Sequence, residues 1–172
     1  MKQLKFSQSR IITLLLLAWL TVAAAHAEST VYFFSKEFAN IECTLKVNGQ
    51  EIGEFRGTVK KTIEPTSSVS DVMKMPYTVY HACKKKCSII EEGKVIFSVN
   101  FKFTNGSTLS VSEYDTEIQL NLTEGSVHYI ELTNKGRKDI QLKEISEKDA
   151  QKKLKDDKKY EWLPDYIQEP QQ

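Results

Sequence analysis

The segment "KVIFSVNFKFT", Lys94 to Thr104, constrains this chain more than any other. Val95, Phe97, Val99, Phe101 and Phe103 alternate with Ser98, Asn100 and Lys102. Side chains on a β-strand point to opposite faces with period two, so this ladder presents a wall of apolar groups on one side and a mostly polar surface on the other. A helix would scatter the same residues around its circumference and leave no continuous apolar face. Asn105-Gly106 follows, the pair that most easily takes positive φ at both turn positions. Leu109 and Val111, alternating with Ser110 and Ser112, then read as a return strand.

The same logic finds further strands. In "IECTLKVNGQEIGEF", Ile41, Cys43, Leu45 and Val47 share one face, Asn48-Gly49 makes a turn, and Ile52 and Phe55 lie on the return. Val31 to Phe34 reads as a first strand. Ile118, Leu120 and Leu122 alternate with Glu117, Gln119 and Asn121, the turn "TEGS" leads into "VHYIELT", and "NKGRK" precedes Ile140 and Leu142. Short strands with glycine-containing turns at near-regular spacing predict a mainly β fold, an antiparallel β-sandwich of about seven to nine strands. One helix is expected near the C-terminus. Ser146 and Asp149 have the S-x-x-D form that satisfies free amides at a helix start, and Ala150 and Leu154 form a narrow apolar stripe among exposed charges. "EPTSSVSDVMKMP", Glu64 to Pro76, reads as a long surface crossing.

The N-terminus indicates a compartment. Lys2, Lys5 and Arg10 precede an apolar run from Ile11 to Ala25, and Ala25-His26-Ala27 has the small-x-small form of a cleavage site. That run is shorter than the ~18–20 residues a membrane-spanning helix needs. Residues 1–27 are therefore expected to be a signal peptide, cut between Ala27 and Glu28. Residues 28–158 would form a single domain, followed by an aromatic and proline-containing tail over 159–172. Cleavage lowers Lys+Arg from 24 to 21 against 23 acids, a net charge of −2. Such a balance does not suit nucleic acid, which is gripped by a dense basic surface. No transmembrane segment is expected in the processed chain.

The most unusual stretch is "HACKKKC", His81 to Cys87. Three cysteines make an odd count for an exported chain. Cys43 shares a face with Ile41, Leu45 and Val47 and points into the core, where it behaves as a small hydrophobe. An oxidising compartment favours a disulfide between Cys83 and Cys87, provided the lysines make a tight connection. Reduced thiols, or Cys43 paired with either one, remain open. A metal reading would gather His81, Cys83 and Cys87 on one ion, but a closed zinc site wants four ligands, and the lysines repel a cation. A thiol-redox pair is disfavoured by C-x-x-x-C spacing without a surrounding βαβ pattern. Glu91-Glu92 stands at an apparent turn, as an exposed pair would, and Asn105 and Asn121 fit a glycosylation pattern that matters only in a eukaryotic secretory route.

The segments "VYFF", "LKVNGQEIGEF", "EIQLNLTEGSVHYIEL" and "KEISEKDAQKKL" together resemble a group of bacterial exported or lipoprotein-borne β-sandwich domains of unknown function. The resemblance runs from Val31 to Leu154. A hairpin of the form x-v-x-G-x-x-i-g falls on Val47 to Gly53, and l-x-l-x-x-G-x-x-Y-Y-i falls on Leu120 to Ile130. His128-Tyr129 takes the place of the aromatic pair, the cut carries no lipid-attachment cysteine, and "CKKKC" stands as a local addition. The resemblance implies a fold and a compartment, and no catalytic motif.

No nucleophile elbow, zinc-protease helix or phosphate loop occurs in the chain. The expected function is that of an exported, periplasmic or surface-associated non-catalytic envelope protein. It would bind an envelope protein or glycan through loops or an edge strand, with no cofactor. The alternative is a metal-binding or thiol-redox protein centred on His81, Cys83 and Cys87. In the tail, Trp162, Leu163, Tyr166 and Ile167 either pack back on the domain or form a strip that docks a partner.

Overall fold

The computed structural model describes residues 28–39, 41–64, 77–104, 111–134 and 140–169. Four segments considered above lie outside these residues: the N-terminal 1–27, the crossing 65–76, the stretch 105–110 with the Asn105-Gly106 turn, Leu109 and Ser110, and most of "NKGRK". Among the described residues the protein is mainly β, with thirteen strands and one short helix. The first six strands are β1 (Ser29–Ser35), β2 (Phe38–Ala39), β3 (Ile41–Val47), β4 (Gln50–Glu54), β5 (Val59–Ile63) and β6 (Tyr77–Tyr80). Then come β7 (Ala82–Ile89), β8 (Gly93–Thr104), β9 (Val111–Leu122), β10 (Val127–Asn134) and β11 (Ile140–Glu144). The helix α1 (Glu147–Leu154) precedes β12 (Tyr160–Trp162) and β13 (Tyr166–Ile167).

Three sheets result. One is four-stranded and wholly antiparallel, in the order β4-β3-β8-β9. A six-stranded sheet runs β11-β10-β1-β7-β12, with β13 also on β7. A small third sheet has the order β2-β6-β5. The six-stranded sheet is mixed, which an antiparallel expectation does not cover: β1 runs parallel to β10, and β12 and β13 run parallel to β7. Only strands joined by a tight turn must be antiparallel. β1 and β10 are separated by most of the chain, so nothing local dictates their relative direction.

The phenylalanine ladder is β8, and its apolar row is the core. Val95, Phe97, Val99 and Phe101 are fully buried, while Phe103 is half-buried at the end of the strand. Phe33 of β1 meets Phe97 at 5.2 Å between ring centroids and Phe55 at 6.1 Å, so the inner faces of the two large sheets share one core. Each such ring removed from water contributes roughly 1.5–3 kcal/mol. The β3–β4 hairpin turns as its sequence predicts, with Asn48 at φ 47° and Gly49 at φ 82°. Its register shifts between Leu45 and Lys46, a bulge that lets both Ile52 and Phe55 face inward despite their odd spacing. The return strand after Asn105-Gly106 and the later Ile118–Leu122 strand are one continuous twelve-residue strand, β9, paired with β8 along its whole length.

The outer face of the six-stranded sheet is covered as well. Ser146 caps α1, its side-chain oxygen accepting from the Asp149 amide at 3.2 Å. Ala150 is fully buried, Lys153 donates to Glu131 on β10 at 2.9 Å, and the ring of Tyr160 meets Phe34 edge-on at 6.3 Å. With the core on one side and this layer on the other, β7 is buried on both faces.

Candidate functional site

The lysines of "HACKKKC" do not make a tight connection between the cysteines. Cys83 to Cys87 lie inside β7, in extended conformation, in the middle of the six-stranded sheet. The expected Cys83–Cys87 disulfide is therefore corrected. Four residues of strand separate the two Cα atoms by about 13 Å, roughly twice what a disulfide spans. All three cysteines are free and buried, and none is within bonding distance of another. Cys83, Cys87 and Ile89 share the core-facing side, and Cys43 enters the same core from β3. Cys83 sits 3.0 Å from the hydroxyl of Ser35. The same spacing keeps both sulfurs from reaching one metal ion, and among the described residues no group of three His, Cys, Asp or Glu side chains is arranged to hold one.

Burial makes these thiols inert. It pushes Cys83 and Cys87 up to about 12, against an ordinary value of 9.0, and the Lys85 ammonium only partly offsets this. Cys43 is raised for the same reason. Below about pH 9 folded and unfolded chains both keep these protons, and no pH dependence arises. Above it the unfolded thiols ionise while the native ones do not, so stability falls as pH rises, by about 1.4 kcal/mol per pH unit per thiol. Iodoacetamide at pH 8 is expected to leave all three cysteines unmodified in the native protein and to label them in denaturant. Rapid labelling of any one without denaturant would contradict this packing.

Two of the three lysines between the cysteines, Lys84 and Lys85, are structural clamps. Lys84 is fully buried, with its Nζ donating to the Leu154 carbonyl at 2.7 Å and to Asp157 at 2.5 Å, and lying 4.6 Å from the centre of the Trp162 ring. The cation thus caps the C-terminal end of α1, where free carbonyls concentrate negative charge. Lys85 points to the opposite face and donates to the Pro164 carbonyl at 2.6 Å. Together they bind the segment that carries β12 and β13 to the edge of β7.

The tail residues divide accordingly. Leu163 and Tyr166 pack against the core, whereas Trp162 and Ile167 are exposed on its outer side, at 45% and 63%. Glu161 accepts from the amide and hydroxyl of Thr58, at 2.7 and 2.9 Å. Gly57 fits there because it lacks a side chain: an added Cβ would stand 2.6 Å from the His81 carbonyl oxygen. Gln168 reaches the amides of Ile90 and Glu91, and donates to the Glu91 carboxylate at 2.8 Å. Glu91, first of the Glu91-Glu92 pair, also accepts from Asn48, so it joins the β3–β4 turn to the tail. His81 holds its place through its own amide, which donates to Thr58 at 2.9 Å. His128 is far from this edge in sequence and bonds Glu144 across β10 and β11 at 2.8 Å, while Tyr129 stacks on Tyr32 at 5.6 Å.

A cavity of about 350 Å³ opens between α1 and the six-stranded sheet, lined in part by Glu131, Asp149, Lys152, Lys153 and Tyr160. Four of its lining charges form two ion pairs. Lys152 pairs with Asp149 at 3.1 Å, and Lys153 with Glu131 and the Tyr160 hydroxyl. Burial pulls the Lys153 ammonium down, but those hydrogen bonds outweigh it and its pKa is raised.

Among the described residues β9 (Val111–Leu122) is the longest strand at a sheet edge, longer than the edge strands β4, β11, β12, β2 and β5. It pairs with β8 on one side, and no other described strand pairs with it on the other. From Val111 to Asp115 every residue is exposed, and burial resumes only at Leu120 and Leu122, near β11. Glu113, Asp115 and Glu117 stand on its outward face, while Tyr114, Thr116 and Ile118 line the core-side face. Reading strands by alternation found this segment but not its place in the sheet. The three acids at alternate positions were the available signal, since charge on a strand often marks an edge. No helix among the described residues is long and apolar enough to cross a membrane. No family model, curated protein or solved structure matches the chain.

Proposed function

We propose that this chain is an exported, non-catalytic protein of a bacterial cell envelope, a two-sheet sandwich that binds a protein partner by accepting its strand at β9. The observation that carries this reading is the one-sided pairing of β9 over 12 residues, where the edge strands β4 and β11 have 5 each, which leaves a long row of backbone donors and acceptors directed outward. Contact of Phe33 with Phe97 and Phe55 supports the sandwich. The basic start, the short apolar run and Ala25-His26-Ala27 support export, with Glu28 as the first residue of the processed chain.

Two measurements test this. N-terminal sequencing of protein taken from the extracytoplasmic fraction is expected to begin at Glu28. A photoreactive side chain placed at Thr116 is expected to crosslink to a separate polypeptide, while the same group at Glu51 on β4 does not. An uncleaved chain retained in the cytosol would refute export, and equal crosslinking from both positions would refute the β9 surface.

A further inference from the structure

We infer that the strand received at β9 is a basic, amphipathic one, with lysine or arginine at alternate positions and apolar residues between them. The inference rests on the proposed β9 edge and adds the chemistry of its occupant. On the outward face of β9, Glu113, Asp115 and Glu117 recur at every second residue. Register with β8 sets Lys102 opposite Glu113, but Asn100 opposite Asp115 and Ser98 opposite Glu117. β8 therefore supplies no cation opposite the latter two.

Asn100 organises the row rather than neutralising it. Its side-chain nitrogen donates to Glu113 at 2.8 Å and to Asp115 at 3.0 Å, using both hydrogens to hold two carboxylates side by side. A strand laid along the free side of β9 places its own alternate residues within about 5 Å of these acids. Basic residues there gain attraction and acidic ones meet repulsion. On the other face, Tyr114 is partly exposed and Ile118 half-buried at the border of the core, so apolar residues between the cations would extend that border. A second copy of this chain does not suit the edge. Antiparallel pairing of β9 with itself about Asp115 sets Asp115 against Asp115 and Glu113 against Glu117, like charges throughout.

The test is an amide-resolved NMR titration of the protein with two short synthetic peptides, one alternating lysine with valine and the other alternating glutamate with valine. The lysine peptide is expected to shift and protect the amides of Val111 to Glu117, and the glutamate peptide to leave them unchanged. Glu113→Gln, Asp115→Asn and Glu117→Gln together keep acceptors for Asn100 while removing the charge. They are expected to weaken lysine-peptide binding about tenfold. Raising the salt concentration should have a similar effect. Equal binding of both peptides would overturn the basic partner while leaving the β9 edge in place. Failure of both peptides to bind, with crosslinking from Thr116 intact, would also overturn it. Failure of both peptides and of crosslinking would remove the edge reading as well. Sedimentation as a dimer that the triple substitution strengthens would replace the basic strand with a second copy.

Discussion

Deletion of residues 160–172 is expected to lower the melting temperature by roughly 10–15 °C, because the tail is part of the sheet rather than an appendage. β12 and β13 are the last strands beside β7. Their loss strips Tyr160 from Phe34 and Leu163 and Tyr166 from the margin of the core. It also unpairs the buried Lys85 ammonium from the Pro164 carbonyl and releases Thr58 from Glu161. Removing the cover from one large buried side chain costs about 1.5–3 kcal/mol, and a buried cation without its acceptor adds to that. Calorimetry of the shortened chain checks this. An unchanged transition would mean that the tail contributes nothing, and Trp162 and Ile167 would return as docking residues.

Lys84→Ala is the second large effect, expected to destabilise the protein by about 3 kcal/mol, with urea unfolding as the measure. The substitution leaves a hole where a fully buried side chain stood and strips the Leu154 carbonyl of its donor at the end of α1. Asp157 is mostly exposed, so its carboxylate regains water, which keeps the cost at the lower end of the range for broken buried pairs. Lys84→Met keeps the aliphatic stem and loses the cation, so it should fall between the wild type and alanine. If Lys84→Met were as stable as the wild type, packing alone would account for Lys84 and the cap would be immaterial.

These effects centre on a segment that strand-pattern reading passes over. Period-two alternation locates β8, β3 and β10 because each has one face in the core and the other polar. β7 has both faces covered, and lysines occupy positions where alternation would place apolar residues. Lysine in a strand ordinarily signals solvent. Here Lys84 and Lys85 extend long apolar stems through the buried layers and deliver their charges to carbonyl oxygens at the margins. The parity of Cys83, Cys87 and Ile89 was visible, and it does point to one strand face. What could not be seen was the covering layer, since α1 and the tail reach β7 from about seventy residues downstream.

The edge at β9 illustrates the same division. Its acids and its alternation are properties of a few neighbouring residues, whereas its exposure depends on which strands fill the other positions in the sheet. Backbone sterics and side-chain periodicity act over a few residues, so the β class, the inward-facing residues of β3 and β8, the Asn48-Gly49 turn and the cap at Ser146 are all legible in the order of the amino acids. The pairing of β1 with β10, the completion of the β7 edge by the tail and the one-sided pairing of β9 are visible only in the folded chain. Those arrangements come from contacts between distant segments, and local chemistry does not choose a strand's neighbour.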